Sequence, residues 1–327
     1  MKKWSLKMKN RSKALVGVII GLSLLISIVV MCVNSREEKK ILRVNVGTSS
    51  TSATTVIIKE YRLLEKYLPD EYTIEWSYLS NPTDIRDALI SDKLDISQCS
   101  VLGFATAVEK GIPFTIISNA GSTKMCIYGR DDIETINNIN SIGLKDHSSN
   151  SYIALLAYCK EKYQMPHKLD DIISIVPMAE SLSLMRSSNS LDASVITFPT
   201  SCAAEEMPEI HMLADLSDVI AKYAISSIYI ANIDFYENNP EIIDAFLKAQ
   251  KDAINLSITN KEEIVTLLAE EYSIEKSIIE EMLKESPLEQ EIGGYDLQIN
   301  LLHEAGLLEE TYPLLKDFSN YDKIPKK

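Results

Sequence analysis

Residues 88–96 read ALISDKLDI, and residues 184–195 read LMRSSNSLDASV. Both stretches end an apolar helical run, pass through a short polar turn, and restart as a Leu-Asp-apolar strand. Around the first, the chain alternates the two periods. Residues 41–47 alternate as a strand, and Ile57, Tyr61, Leu64 and Leu68 form a helical stripe. Residues 73–78 alternate again, Asn81-Pro82 opens a helix as cap and first turn, and 94–97 form a short strand. A helix over 100–109 and a strand over 114–118 follow, on either side of Gly111-Ile112-Pro113.

The pattern restarts with strand 124–128, a short helix near 133–138, strand 140–144 and helix 151–163. Strand 172–176, helix 179–187 and strand 193–197 continue it, and strand 225–231 comes late. After Pro240 the chain reads as helices at 240–256, 261–271, 275–284, 294–305 and 308–317. This alternation predicts an α/β protein with two open, mainly parallel sheets flanked by helices. No internal repeat of about 20–50 residues stands out. Asn119-Ala120-Gly121-Ser122-Thr123 is suited to a crossing between sheets, as is the region near 220–226. Lobe I is then 40–121 with 224–327, and lobe II is 122–223.

The chain has 327 residues, enough for about two domains. With 46% hydrophobic and 24% charged residues, a polytopic membrane protein, a disordered chain and a collagen-like fibre are excluded. The net charge of −14 is unevenly spread. Residues 1–35 carry six basic side chains and no acid, leaving 27 basic against 47 acidic residues, a net −20, in the body. That acidity argues against nucleic acid as a partner. Ala14 to Val33 is an uncharged run of 20 residues behind the basic segment, long enough for a bilayer core. Residues 1–35 therefore read as a signal or membrane anchor that places the body on the extracytoplasmic face of the cell membrane. Three forms stay open: a retained transmembrane helix, a cleaved signal peptide, or a lipoprotein signal with Cys32 as the lipidated residue. Cys99, Cys126, Cys159 and Cys202 contain no C-x-x-C, and no histidine joins them at metal-ligand spacing. The sequence contains no G-x-S-x-G, no phosphate-binding G-K-[ST], no H-E-x-x-H and no G-x-G-x-x-G, so no catalytic residues, metal or cofactor are assigned.

Four phrases together carry a resemblance. They are the strand, hydroxyl loop and helix over 43–58; Ala88 to Ile96; Ala105-Thr106-Ala107-Val108-Glu109-Lys110-Gly111-Ile112-Pro113-Phe114; and Leu184 to Val195 running on to Thr197-Phe198-Pro199. With the stretch Asn238 to Ala249, they resemble the solute-binding proteins of ABC importers of the nitrate/sulfonate/taurine and thiamine-precursor type. The resemblance covers about residues 40–285. It implies a two-lobe, type II periplasmic-binding-protein-like fold that captures a small molecule between its lobes and hands it to an ABC permease, acting as a monomer. A membrane-anchored sensor or interaction protein of the same fold is the alternative, and an enzyme of that fold has less support. Asp92-Lys93 and Ser190 stand where that family usually has glycine. The cysteine cluster of the thiamine-pyrimidine synthase relatives is absent, and the first loop lacks the aromatic or proline residues often seen there.

In open α/β sheets ligands sit beyond the carboxyl ends of strands. Those ends are rich in neutral hydroxyls and amides: Thr48, Ser49, Ser50, Thr51 and Ser52; Asn81; Ser97, Gln98, Cys99 and Ser100; Ser148, Ser149, Asn150 and Ser151 behind His147; and Thr197 with Phe198. Hydroxyl loops before helices present backbone N–H groups and suit a sulfonate, nitrate or similar group. The same residues are the favoured helix caps, so capping competes with binding at each loop. Trp76 and Tyr78 are candidate cleft aromatics, although they share a strand face with Ile74. Arg130 and Arg186 are the nearest cations, with a surface role competing.

Overall fold

A computed structural model of the chain describes residues 39–47, 52–79, 81–187, 190–286, 288, 290 and 295–309. The strands are β1 (Lys40–Asn45), β2 (Tyr72–Ser77), β3 (Ser97–Ser100), β4 (Phe114–Gly121), β5 (Met125–Arg130), β6 (Ile142–Leu144), β7 (Ile173–Ile175), β8 (Ala193–Thr197), β9 (Ile210–Asp215) and β10 (Ser227–Asn232). The first helices are α1 (Ala53–Glu60), α2 (Pro82–Ile90), α3 (Val101–Glu109), α4 (Asn150–Tyr163), α5 (Met178–Ser187) and α6 (Thr200–Glu205). They are followed by α7 (Ser217–Lys222), α8 (Ile233–Asn238), α9 (Pro240–Thr259), α10 (Lys261–Tyr272), α11 (Lys276–Glu285) and α12 (Tyr295–Glu304). A small unit contains Lys40, Ile41 and Pro69–Thr73, in which the Lys40 N–H donates to the Glu71 carbonyl at 2.8 Å. The compact body contains the described residues of 42–68 and from Ile74 to Glu309.

Sheets flanked by helices agree with the α/β class read from the sequence. Strand direction is more mixed than the mainly parallel expectation. In the three-stranded sheet β3-β10-β4, the central β10 runs antiparallel to both neighbours. In the five-stranded sheet β7-β6-β8-β5-β9, β6 is parallel to β7 and β8, while β5 is antiparallel to β8 and β9. The physical reason is chain entry. β10 returns from the other sheet and enters from the opposite end, where antiparallel pairing needs no further crossover. The remaining strands β1 and β2 pair, and Val44 bridges Ile96 in parallel.

The two Leu-Asp phrases build the same joint in both halves. Asp95 Oδ2 accepts the Arg43 backbone N–H at 2.6 Å, and Asp192 Oδ2 accepts that of Asn140 at 2.7 Å. Both bonds span 52 residues. An arginine faces each carboxylate: Arg43 Nη1 lies 3.9 Å from Asp95, and Arg130 Nη1 lies 3.1 Å from Asp192. Burial pushes the Asp95 carboxyl above its ordinary range, against the opposing pull of the Arg43 N–H and guanidinium. The duplicated joint lies at a longer period than the repeats sought in the sequence.

Several boundaries moved. The helical stripe through Leu68 ends as regular helix at Glu60, because Arg62 takes φ 52°, but Leu63 and Leu64 remain buried. The strand expected over 94–97 joins the three-stranded sheet from Ser97 onward, while Ile96 bridges β1, its N–H and that of Asp95 donating to the Arg43 carbonyl. Asn119 to Gly121, read as a crossing, extend β4, where pairing with Ser227 and Ile228 outweighs their turn tendency. The short elements α6, β9, α7 and α8 span too few periods to be legible in the sequence. A single cluster of buried apolar side chains includes Leu89, Phe104, Ile116, Ile153, Val195 and Ile230, drawn from elements of both sheets. Cys99, Cys126, Cys159 and Cys202 are free thiols. No helix among the described residues is long and apolar enough to cross a membrane. The anchor segment 1–35, Cys32 and helix 308–317 beyond Glu309 lie outside the described residues.

Asp95→Ala and Asp192→Ala each leave a backbone N–H without its carboxylate acceptor, with an expected cost of about 1.5–3 kcal/mol in urea unfolding, while Asn at either position costs less. A raised acid pKa means that the folded state keeps its proton longer. Asp95 therefore supports stability below the unfolded carboxylate value, and that support is lost as pH rises through the folded value. Asp95→Asn is expected to gain on the parent as pH climbs past about 4; a pH-independent difference contradicts the burial argument.

Candidate functional site

The three-stranded sheet has one apolar face and one polar face, and the Ser227-Ile228-Tyr229-Ile230 alternation explains why. Ile228 and Ile230 enter the apolar core, against which Cys99 also packs. On the opposite face Gln98 is registered with Tyr229, Ser100 with Ser227, and Ser118 of β4 with Tyr229. The Tyr229 hydroxyl and Thr55 Oγ1 share a 2.6 Å hydrogen bond. Gln98 Nε2 donates to Thr55 Oγ1 at 3.0 Å and reaches the Tyr229 oxygen at 3.4 Å. Phe246 closes the ring edge-on, with centroids 4.9 Å apart. Burial pushes the Tyr229 phenol well above its ordinary value, with the Thr55 and Gln98 bonds opposing, so it stays a neutral hydroxyl.

At the Ser100 end of this face two helix amino ends meet. Ser100 caps α3 by accepting the Gly103 N–H at 2.9 Å, and its own hydroxyl donates to the Ser148 carbonyl. Ser149 caps α4, accepting from the Tyr152 N–H at 3.3 Å and donating to the Asp146 carbonyl at 2.7 Å. Ser148 folds back onto Asp146 Oδ1 through its N–H at 2.8 Å and its hydroxyl at 2.7 Å. Asn150, the first residue of α4, donates to Ser227 Oγ at 3.2 Å. Asn150 Oδ1 and Thr54 Oγ1 are each buried with no hydrogen-bond partner among the described residues. Helix amino ends carry unpaired N–H groups and partial positive charge, so the arrangement is able to bind the oxygens of a small polar or anionic solute.

The sequence candidates divide by place. Gln98, Ser100, Ser148, Ser149 and Asn150 come together, with Ser151 buried in the first turn of α4. Ser52 is buried at the start of α1. Ser97 is fully buried and accepts from the Asn45 side chain at 3.1 Å, away from the polar face. Cys99 points into the core, where burial pushes its thiol up to about 12. Asn81 is occupied as the α2 cap, accepting from Thr83 and Asp84. Thr197 lies against the Met178 sulfur at 3.3 Å, and Phe198 meets Tyr272 edge-on at 6.0 Å. Thr48, Ser49, Ser50 and Thr51 lie outside the described residues. Trp76 is half-buried, and Tyr78 is exposed at 49%. Arg130 serves Asp132 and Asp192, Arg186 pairs with Glu209, and His147 is exposed beside Tyr152. A surface depression of about 460 Å³ at the turn between α9 and α10, lined by Thr259–Glu263 and Thr266, contains none of these residues. No group of three or more metal-ligating side chains occurs among the described residues. Thr55, Ser227 and Tyr229 belong to the site without having been candidates in the sequence. Their signal was the β10 alternation, and the continuation of the Thr48–Ser52 hydroxyl run into Thr54 and Thr55.

Two consequences are measurable. Gly47 has φ +78°, and a Cβ there meets Ser52 Oγ at 2.7 Å, so Gly47→Ala is expected to cost about 1–2 kcal/mol in thermal unfolding. Burial holds the thiols of Cys99 and Cys159 at about 12 and that of Cys126 at about 11. Native protein at pH 8 is therefore expected to leave these three unalkylated by iodoacetamide until it is denatured; rapid native labelling of Cys99 contradicts its neutral, core-facing placement.

No protein-family model matches the chain, and no curated protein matches it. Solved structures do. The periplasmic aliphatic sulphonate binding protein SsuA from Escherichia coli superposes with a TM-score of 0.68 at 20% identity, over 84% of this chain and 90% of its own. The ligand binding component of an ABC-type import system from Staphylococcus aureus gives 0.72 at 17% identity, over 88% and 100%. The periplasmic nitrate-binding protein NrtA from Synechocystis PCC 6803 gives 0.68 at 14% identity, over 87% of each chain. The fold implied by the Leu-Asp phrases is thus the fold found: the chain is built like the periplasmic binding proteins of ABC import systems.

Proposed function

We propose that this chain is an extracytoplasmic solute-binding protein that captures a small molecule for an ABC permease. The observation that carries the reading is the meeting of the α3 and α4 amino ends at Ser100, Ser148 and Asn150, on the polar face bearing Ser227 and Tyr229. The two helices come from opposite sides of the β4–β5 passage, so a solute held there draws both together. In this reading residues 40–121 with 224–327 form one lobe and 122–223 the other, and closure about the passages traps the solute. Residues 1–35 hold the monomeric body at the outer face of the cell membrane by a helix or by lipid on Cys32.

The solute class is a sulfonate, nitrate or similar compound. The neutral hydroxyls and amides favour it, since helix N–H groups stabilise an anion without a buried counter-charge. The core-facing, neutral Cys99 thiol supports binding rather than covalent catalysis.

A thermal-shift screen of the full chain against alkanesulfonates, nitrate, amino acids and pyrimidines tests the proposal. A true solute at a hundredfold excess over Kd adds about 2.7 kcal/mol of stability. Asn150→Ala is expected to lower its affinity roughly tenfold, by analogy with loss of a hydrogen bond of about 1–1.5 kcal/mol. No stabilisation by any compound, together with no solute-linked compaction in small-angle scattering, rejects the reading.

A further inference from the structure

The chain passes between the sheets twice, from β4 to β5 and back from β9 to β10, and both passages are tied to the C-terminal part of the chain. At the first, the Asn119 N–H donates to the Gln290 carbonyl at 3.0 Å, and the Asn119 carbonyl accepts Gln250 Nε2 at 2.6 Å. Gln250 is fully buried, and its Oε1 accepts from Ser118 Oγ at 2.7 Å and from Gln290 Nε2 at 3.2 Å. Gln290 Nε2 also donates to the Leu247 carbonyl at 2.6 Å. Just past this passage Lys124 pairs with Glu285 at 3.0 Å. At the second passage the Ser226 and Tyr295 hydroxyls lie 3.2 Å apart, both buried.

The same region reaches outward to both halves. Glu304 pairs with Lys160 of α4, and the Ala305 carbonyl lies 2.9 Å from His167 Nε2 beyond α4. The Glu309 N–H donates to Glu109 Oε1 at the end of α3, at 2.8 Å. Two crossing strands alone make a soft joint, because extended chain bends with little loss of contact. The surface ion pairs add little individually. The buried amide network differs: once Gln250 is desolvated, breaking its Nε2 bond to the Asn119 carbonyl leaves a buried donor unpaired. The joint therefore has one preferred geometry.

We propose that Gln290, Tyr295 and α12 form a brace across both passages, fixing the angle between the sheets and limiting how far the candidate site opens. The consequence for binding rests on the function proposed above; the mechanical coupling does not, since it is a property of the free protein. Hydrogen exchange followed by mass spectrometry on the free, full-length chain tests it. In Gln290→Ala/Tyr295→Phe, peptides covering 118–124 and 223–228 are expected to exchange about tenfold faster, with β6 and β8 unchanged. Unchanged passages overturn the brace, as does a uniform rise everywhere, which marks a loss of global stability alone. Should the double variant not fold, the milder Tyr295→Phe alone, which removes only the hydroxyl beside Ser226, decides the matter: about threefold faster exchange at the second passage is expected, and no change there overturns the proposal. Failure of every solute in the thermal screen removes the binding function and leaves this measurement's outcome standing.

Discussion

A carboxylate just ahead of a strand, accepting a backbone N–H from a segment far back along the chain, is the constraint that the two halves of the protein share. Asp95 holds Arg43 and Asp192 holds Asn140, each across 52 residues of chain. Aspartate suits this task because its side chain is short: it reaches one backbone donor from one register and no other. A slip of one residue would turn every side chain of the strand to the wrong face. In β3 that would carry Gln98 and Ser100 into the apolar core and Cys99 onto the polar side. The burial of Asp95, visible in its raised pKa, is thus a stability cost that secures register.

Register in turn determines what the helices present. With Ser100 and Ser227 opposed at the end of the sheet, α3 starts beside them, and α4 starts where Asn150 reaches Ser227. Most hydroxyls near this point already have protein partners: Ser100 on the Ser148 carbonyl, Ser148 and Ser149 on Asp146. Those bonds order the two amino ends before any solute arrives. Pre-ordered donors add affinity because less freedom is lost on binding.

Much of this could be read from the sequence, for reasons of pattern. The Leu-Asp phrases, the Asn81-Pro82 cap and the helix expected over 151–163, found one residue earlier behind a Ser149 cap, rest on local chemistry that tertiary packing did not override. Pairing direction was not legible, because β10 reads the same whichever way it runs. Asn119-Ala120-Gly121 carries turn residues yet stays in β4, since its pairing with β10 and its bonds to Gln250 and Gln290 come from residues far along the chain. Tyr229 reads as part of an apolar strand; only its register against Gln98 shows that its hydroxyl faces Thr55. Asn81, Ser97 and Ser149 illustrate the opposite difficulty: the residue types that bind solutes are those that cap helices and bridge strands, and sequence alone does not separate the uses.

Charge acts at two ranges in this chain. The body carries a net −20, and at physiological salt its field decays over about 8 Å. An anion approaching from solution therefore meets repulsion first and helix N–H groups only on contact. Local donors in a partly desolvated site act at a lower effective dielectric than the exposed surface charges, so a few well-placed N–H groups outweigh many screened carboxylates. In the proposed function capture depends on geometry rather than on attraction at a distance, which places the burden on the Asp95 and Asp192 anchors within each half, on the Gln250, Gln290 and Tyr295 bonds at the passages, and on the Lys124–Glu285 and Lys160–Glu304 pairs that cross from one half to the other.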